Sequence, residues 1–469
     1  MHDTPDKPKT SSLDTSADES PKLQVAVVGG GIAGLSVAIS LLQHPGVNVQ
    51  IYERTKVFRE IGASISLGPN GLRTLEKLGV ENAIDGSVCS RQISDYPMIY
   101  RHWRTGEVIA RDLHKTVKTK KHFTARFHRA HLHQALLEHV PREIVHMGKK
   151  TVSIVADREE GVTLTFEDHT TAKADICIGA DGIHSNVRKT FVPGHTLRRT
   201  GWTAMRSVFD ASLVKDVNFP EDASHWIGPD RSFFHSKVGK GMFTVVGGLH
   251  TDPNDPADTV QWDDGYSMDK FRELYKPSPS CRCVLSEVRT DMSRNSQDWH
   301  PAVRSLIEVT PHTRLFPNMA GRALDTWTFS QRVTLAGDAA HTHGGAFAAG
   351  GSLAIDDAYA LFLALNHVWP AAVAQSRKPT VEQLGEVFRL YEATRKPHIE
   401  KILNAVHLQV IGHKPKLEDG DIETDEMLEE RVRNRPDPSW ISEHDVESAF
   451  QNAIGAKDLG LIKIPSKLA

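Results

Sequence analysis

Apolar residues recur along this chain in short unbroken runs and in longer helical rhythms, and the two alternate in order. Leu23 to Val28 is a continuous β-branched run, the mark of a strand buried on both faces. Ile32 to Leu42 is apolar all round, as a helix packed under a sheet is, and Val49 to Tyr52 repeats the buried-strand pattern. A loop with Gly62, Gly68 and Pro69 leads into an amphipathic helix carrying Leu72, Leu75 and Leu78 on one side, which Asn70 can cap. The spacing predicts a second amphipathic helix over 125–140. Arg129 falls in its first turns, where a cation gains nothing from the helix dipole and reaches instead toward a ligand or an acid.

Residues 150–167 alternate as a hairpin does, and Ala174 to Ile178 is another short buried strand. From about 196 to 320 the chain becomes β-rich with long polar loops, a separate and mostly antiparallel domain. Gln331 to Leu335 returns to a buried strand. The glycines of 344–351 argue against helix there, and helices follow over about 352–367 and 380–412, the second containing Arg395-Lys396-Pro397. The acidic stretch 416–430 reads as a solvated connector to a short C-terminal piece with Trp440 and Asp445.

Chemistry enters where the strands end. Gly29, Gly31 and Gly34 form G-x-G-x-x-G between the first strand and the first helix, and Glu53 closes the second strand about 20 residues on. That order specifies a dinucleotide: a tight turn, close backbone approach to a pyrophosphate, a helix N-terminus aimed at the phosphates, and an acid for a ribose hydroxyl. No second such motif follows a strand, so at most one dinucleotide is held this way. Two further strand-to-turn junctions carry an acid: Gly179 to Arg188 with Asp181, and Gly337 to His341 with Asp338. His341 and His343, two apart and with no carboxylate in register, do not read as metal ligands, and no metal site is expected.

With Lys+Arg 56 against Asp+Glu 59, a net charge of -3 gives no basic field for nucleic acid and no polybasic membrane patch. Four scattered cysteines, Cys89, Cys177, Cys281 and Cys283, make neither a disulfide framework nor a zinc site, and a reduced, cytoplasmic setting is expected. Residues 1–22 are polar and read as a disordered tail, and no stretch approaches a membrane span. Ser466-Lys467-Leu468 stands one residue inside the end and is discounted as a peroxisomal signal.

The three junctions together, Gly29 to Gly34, Gly179 to Arg188, and Gly337 to Asp357, resemble the group A flavoprotein aromatic hydroxylases, and most of all the fungal salicylate hydroxylase-like monooxygenases. The resemblance covers roughly residues 23–450, including the EIGAS-x-SLGPNG loop, Arg129-x-x-Leu132 and Arg395-x-Pro397. It implies an α/β fold: a Rossmann-like FAD-binding domain with an inserted, mostly antiparallel β-sheet substrate domain and C-terminal helices. The expected division is 1–22 tail, 23–195 and 326–412 FAD-binding domain, 196–325 substrate domain, and 413–469 connector and C-terminal segment. FAD would be held by Gly29, Gly31, Gly34, Glu53, Ala63, Arg129, Asp181, Asp338 and Gly351, with NADPH or NADH as a transient reductant.

The implied reaction uses O2 to hydroxylate a small phenolic or aromatic-acid ring, salicylate-like or a polyketide phenol of secondary metabolism, through a flavin hydroperoxide. Such chemistry favours an ionised phenol, and the β-rich domain offers Arg206, His235 and Lys237 beside the ring. Arg206 is the leading candidate, because a charge amid Trp202, Met205, Val208 and Phe209 needs a partner. His235 is the candidate proton-handling group. The chain departs from the family at His343 to Gly351, where a proline and a Gly-Gln-Gly turn are usual, and at Ser236-Lys237, where Tyr-Pro is common. Epoxidation or hydroxylation of a non-aromatic alkene, and flavin binding without turnover, are the alternatives. Oligomeric state is not written in the sequence.

Overall fold

A computed structural model describes residues 22–58, 63–250, 264–276, 299–412 and 423–458. The expectations for the N-terminal tail, Gly62, Cys281, Cys283 and the chain end concern residues outside these.

The first sheet has six strands in the order Thr328–Phe329, Val333–Leu335, Ile176–Gly179, Leu23–Val28, Val47–Glu53, Val145–Met147. All neighbours are parallel except the Thr328–Phe329 edge. Parallel strands need both faces covered, which is why Leu23–Val28 is apolar at nearly every position. The Ile32–Leu42 and Gly350–Val368 helices pack together on this sheet, and the 32-residue Val381–Gly412 helix lies against the second of them. Hairpin Thr151–Asp157/Gly161–Phe166 continues into Thr171–Ala174 as a separate three-stranded sheet.

The second large sheet has eight strands: Asp264–Tyr266, Thr313–Gly321, Leu197–Asp210, Met242–His250, Arg231–Val238, Ser224–Ile227, Ile99–His102, Val108–Arg111. It is antiparallel apart from the contact between Ser224–Ile227 and Ile99–His102. Its last two strands come from well before residue 196, inside the stretch that leads from the first sheet. One face packs against the Met268–Leu274 and Pro301–Val309 helices through a second core of Met205, Phe233, Phe243, Val245, Phe271, Leu306 and their neighbours. The other face is turned toward the cofactor-binding sheet.

Two local expectations are corrected. Residues 125–140 are not one helix: Ala125–His128 is a strand between Ser64–Leu67 and Cys89–Arg91, and the helix is Arg129–Leu137. Ala125 and Phe127 are fully buried, an alternation of period two that the following helical rhythm conceals. The acidic 416–430 stretch is also more than a connector. Asp425–Arg433 is a helix whose Leu428 and Val432, four apart on one side, pack against Ile109 at the sheet edge.

Candidate active site

Between the two sheets lies a cavity of about 1600 Å³, lined by Gly29–Ala33, Glu53, Asp181, Asp338 and Gly350–Ser352 on one side and by the free face of the antiparallel sheet on the other. Its glycines are there for different reasons. Gly29 adopts φ +107°, and a Cβ on it would lie 2.5 Å from the Ala180 carbonyl oxygen; a Cβ on Gly34 would lie 1.9 Å from the Gly29 oxygen. These two are fixed by the chain packing on itself, and Gly34 does not reach the cavity. Around Gly31 there is open space, so this is where bare backbone faces a ligand. The Ile32–Leu42 helix has no side-chain cap, leaving its first amide donors for an anion.

Glu53 faces the same turn, its Oε2 accepting from the Gly30 amide at 2.7 Å and its Oε1 from the Thr55 amide at 2.8 Å. His133 Nε2 donates to the Gly30 carbonyl at 2.8 Å from the adjacent helix. Arg129 opens that helix; its amide donates to the Ala63 carbonyl at 2.8 Å, and both residues line the cavity. Arg129 is thus brought to the cofactor side by the strand before it, a placement that a continuous helix would not give.

The second and third junctions are tied together. Asp181 accepts from the Asn186 amide at 2.7 Å, the Val187 amide at 3.2 Å and Ser185 Oγ at 2.5 Å, so its carboxylate anchors the start of the Asn186–Phe191 helix. Burial pushes its carboxyl above the ordinary range, and those hydrogen bonds oppose the shift. From the same helix the buried Arg188 donates through Nη1 to the Asp338 and Ala339 carbonyls, 2.9 Å each. Asp338 therefore enters the cavity from a backbone held in place by Arg188 and by Thr342 Oγ1 at 2.7 Å.

Behind that turn is a buried ionic group that the sequence motifs contain but do not explain. Asp357 accepts from the Gly337 amide at 2.8 Å, His341 Nε2 at 2.6 Å and Arg395 Nε at 2.8 Å. Burial alone would raise its carboxyl; His341 and Arg395 overcome that and hold it at about 2. His341 does have a carboxylate partner, one helical segment away rather than in local register. Next to it Asp356 accepts from Asn70 at 2.8 Å and Thr74 at 2.7 Å, and burial pushes this carboxyl up despite Arg395 nearby. Among the described residues no group of three acidic, histidine or cysteine side chains could hold a metal.

The 344–351 turn is non-helical only in part. Gly344 and Gly345 have φ near +70°, and Phe347 and Ala348, which are not glycines, have φ +57° and +50°. Each such non-glycine residue costs about 1 kcal/mol and is held by its surroundings. A single 3-10 turn spans Ala346–Ala348, and the long helix starts at Gly350, two residues before the expected position. Its first turn faces the cavity without a side-chain cap, and a Cβ on Gly351 would lie 2.8 Å from Ile65.

On the opposite wall, strand alternation separates the two proposed chemical residues. Arg206 points into the cavity with its guanidinium over the Phe316 ring, 5.5 Å from the centroid, and close to Gly345. Among the described residues it has no carboxylate partner, its Nε is buried without a hydrogen bond, and burial lowers its pKa. His235 lies on the other face. It is fully buried among Phe219, Phe233 and Phe243, neither ring nitrogen has a partner, and burial brings its imidazole to about 3. It cannot exchange protons with a cavity ligand; Phe233 and His235 face the core, and Ser232 and Phe234 face the cavity. Lys237 is exposed and pairs with Glu221. The cavity's polar residues that sequence reading missed include Tyr100, Arg126 and His225, each adjacent in its strand to a buried apolar residue, which is the signal that could have placed them.

These features fit FAD: an uncapped helix end beside bare glycine backbone, an acid at the second strand end, and a second uncapped helix end on the same wall. The FAD binding domain family model matches residues 22–270 and 284–384. The chain is 29% identical over 437 residues to the 6-hydroxynicotinate 3-monooxygenase of Pseudomonas fluorescens, covering 91% of this chain and 96% of that one. It is 30% identical over 423 residues to a 3-amino-4-hydroxybenzoate 2-monooxygenase of Streptomyces platensis, covering 89% and 92%. A salicylate hydroxylase substrate complex shares the fold with a TM-score of 0.69 at 23% identity, over 92% of this chain and 98% of that one. With the family model matching most of its length, the chain belongs to the FAD-binding domain family and is a flavoprotein monooxygenase of the group A aromatic hydroxylase type.

Proposed function

We propose that this monooxygenase hydroxylates an ionised phenol, and that Arg206 is the residue that keeps the phenol ionised. The observation that carries this is the guanidinium itself: a cation in the cavity, beside the Gly344–Gly345 turn, with no carboxylate partner among the described residues. A desolvated cation lowers the pKa of a neighbouring phenol, and an electron-rich phenolate is the better attacking ring. FAD, when bound and reduced by NAD(P)H, supplies the activation of O2. The chain's own part is to hold it and to shape the space next to it. Gly31 and the start of the Ile32–Leu42 helix would take the diphosphate, Glu53 a ribose hydroxyl, and Asp338 with the Gly350–Val368 helix end the remainder. That second helix end would offer its positive pole to the redox-active part. Relatives named for hydroxynicotinate and aminohydroxybenzoate support a ring carrying both a hydroxyl and an acid.

The test separates the two half-reactions. Purified protein should show a flavin spectrum, and anaerobic reduction by NADH or NADPH should accelerate with a hydroxyaryl ligand. Arg206→Met should lower hydroxylated product by about 100-fold or more, on the order of what removal of one aligned electrostatic contact costs, while flavin reduction changes only a few-fold. Equal losses in both halves would reject the phenolate role.

A further inference from the structure

We propose that Arg126, with Tyr100 and His225, forms an anion subsite at the cavity end away from Arg206, and that the substrate is a hydroxyaryl acid with its carboxylate across the ring from its hydroxyl. The inference rests on the aromatic-hydroxylase reading above. Arg126 stands on the Ala125–His128 strand, on the wall facing the antiparallel sheet, and is 3% exposed. Its Nη2 donates to the Pro97 carbonyl at 2.5 Å, its Nε is buried with no partner, and its guanidinium lies over the Phe234 ring, 5.7 Å from the centroid. No carboxylate pairs with it among the described residues. The Asp222 carboxylate acts on it through space but accepts from the Ile93 and Ser94 amides, so the guanidinium, withdrawn from water and with one carbonyl acceptor, has no anion in contact and opens toward the cavity.

The strand register places the two arginines relative to each other. Arg206 pairs across strands with Val246, Val246 with Phe234, Phe234 with His225, and His225 with Tyr100, one row of cavity-facing residues across five strands. At about 4.8 Å per strand, Arg206 and Phe234 are roughly 10 Å apart, and the lean of Arg206 toward Phe316 widens the gap between guanidinium groups. A single ring with oxygens at opposite ends, and a charge-assisted hydrogen bond of about 2.8 Å beyond each, spans such a gap; an ortho pair of substituents does not. The surroundings are set for one negative group. Tyr100 spends its proton on Asp112 at 3.1 Å and so contributes a ring wall rather than a donor, and Asp112 is itself compensated by the Arg435 ion pair. Burial keeps His225 near 4, so it lines the subsite as a neutral ring.

Ligand binding to the FAD-loaded enzyme, read from perturbation of the flavin absorbance, decides this with 4-hydroxybenzoate, its methyl ester and 2-hydroxybenzoate. The wild type should bind 4-hydroxybenzoate on the order of 100-fold more tightly than the ester, and more tightly than 2-hydroxybenzoate. Arg126→Gln should erase the acid-over-ester preference at unchanged FAD content, and Arg126→Lys should keep part of it, since an ammonium retains charge but not the fork. A wild type that binds acid and ester alike, or an Arg126→Gln enzyme that weakens both equally, overturns the subsite and leaves the hydroxylase reading standing. If Arg126→Gln does not fold, the wild-type comparison and Arg126→Lys still decide between the same two outcomes. No perturbation by any of the three ligands overturns the subsite, while acceleration of flavin reduction by other phenols decides the hydroxylase reading separately.

Discussion

Two adjacent aspartates in one helix end up with opposite electrostatics. Asp357, depressed to about 2 in the folded protein, adds stability that is complete above its unfolded value near 3.9 and disappears as pH falls from about 4 through 2. Asp356, raised by burial, acts with the opposite sign: its share is complete below the unfolded value and is lost as pH rises. Replacing Asp357 by Asn leaves Arg395 and His341 without their counter-charge and loosens the Gly337 amide, at a cost of about 3–5 kcal/mol. Asp356→Asn removes a carboxylate that burial already disfavours and that lies farther from Arg395, and should cost less. Denaturation at pH 7 gives the ranking, and the acid limb of stability against pH should flatten in Asp357→Asn alone. None of this is legible in the sequence, where both residues read simply as part of a helix; what decides between them is Arg395, 38 residues beyond Asp357. His235 and Arg206 show the complementary case. Residue type singles out both, but counting alternate positions from Phe233 and Phe243 already turns His235 to the core.

Elements built on strong periodicity are the readable ones: the first strand and helix, the hairpin at 151–166 and the two long helices stand close to their predicted limits. Short segments whose burial depends on a distant partner are not. The Asp425–Arg433 helix has only two buried apolar residues and is otherwise charged, so its sequence reads as solvated. Its place is fixed by the sheet edge: Leu428 and Val432 against Ile109, Asp425 with Arg104 and His102, and, just beyond, Arg435 with Asp112. Asp425 is half-buried and its pairs are partly screened by water, so the two apolar residues should dominate the docking. Leu428→Ala is expected to cost about 2–4 kcal/mol in local rather than global stability. Hydrogen exchange should then quicken across 423–445 while the Gly350–Val368 helix stays protected. Because Arg431, Pro438, Ile441 and Ser442 line the cavity, ligand affinity should fall with it, whereas neutralising Asp425 should leave exchange almost unchanged.

At the scale of the molecule, the question is whether the cofactor sheet and the antiparallel sheet melt separately. The chain passes from the first to the second at residues 99–111 and again at 197, so neither sheet is a contiguous piece of sequence. Close contacts also tie the antiparallel sheet to the small Ser64–Leu67/Ala125–His128/Cys89–Arg91 sheet, whose buried residues belong to the first core. Thr244 Oγ1 donates to Ser64 Oγ at 3.0 Å, the Lys240 amide donates to the Ser87 carbonyl at 3.2 Å, and a Cβ on Gly239 would strike the Val88 oxygen at 1.7 Å. Unfolding one sheet would strip the other of strands or of its cover, so a single cooperative transition is expected. Tryptophans report on both halves, Trp327 and Trp369 in the first core and Trp226 and Trp299 in the second. FAD at about 100 times its Kd should stabilise the folded chain by about 2.7 kcal/mol and move that one transition upward by several degrees. Fluorescence and circular dichroism should shift together, because the ligand's walls belong to both sheets. Two resolved transitions, with FAD moving only one of them, would mean that the cavity's substrate wall is an independent unit, and that its alignment with the flavin is set by docking rather than by the fold.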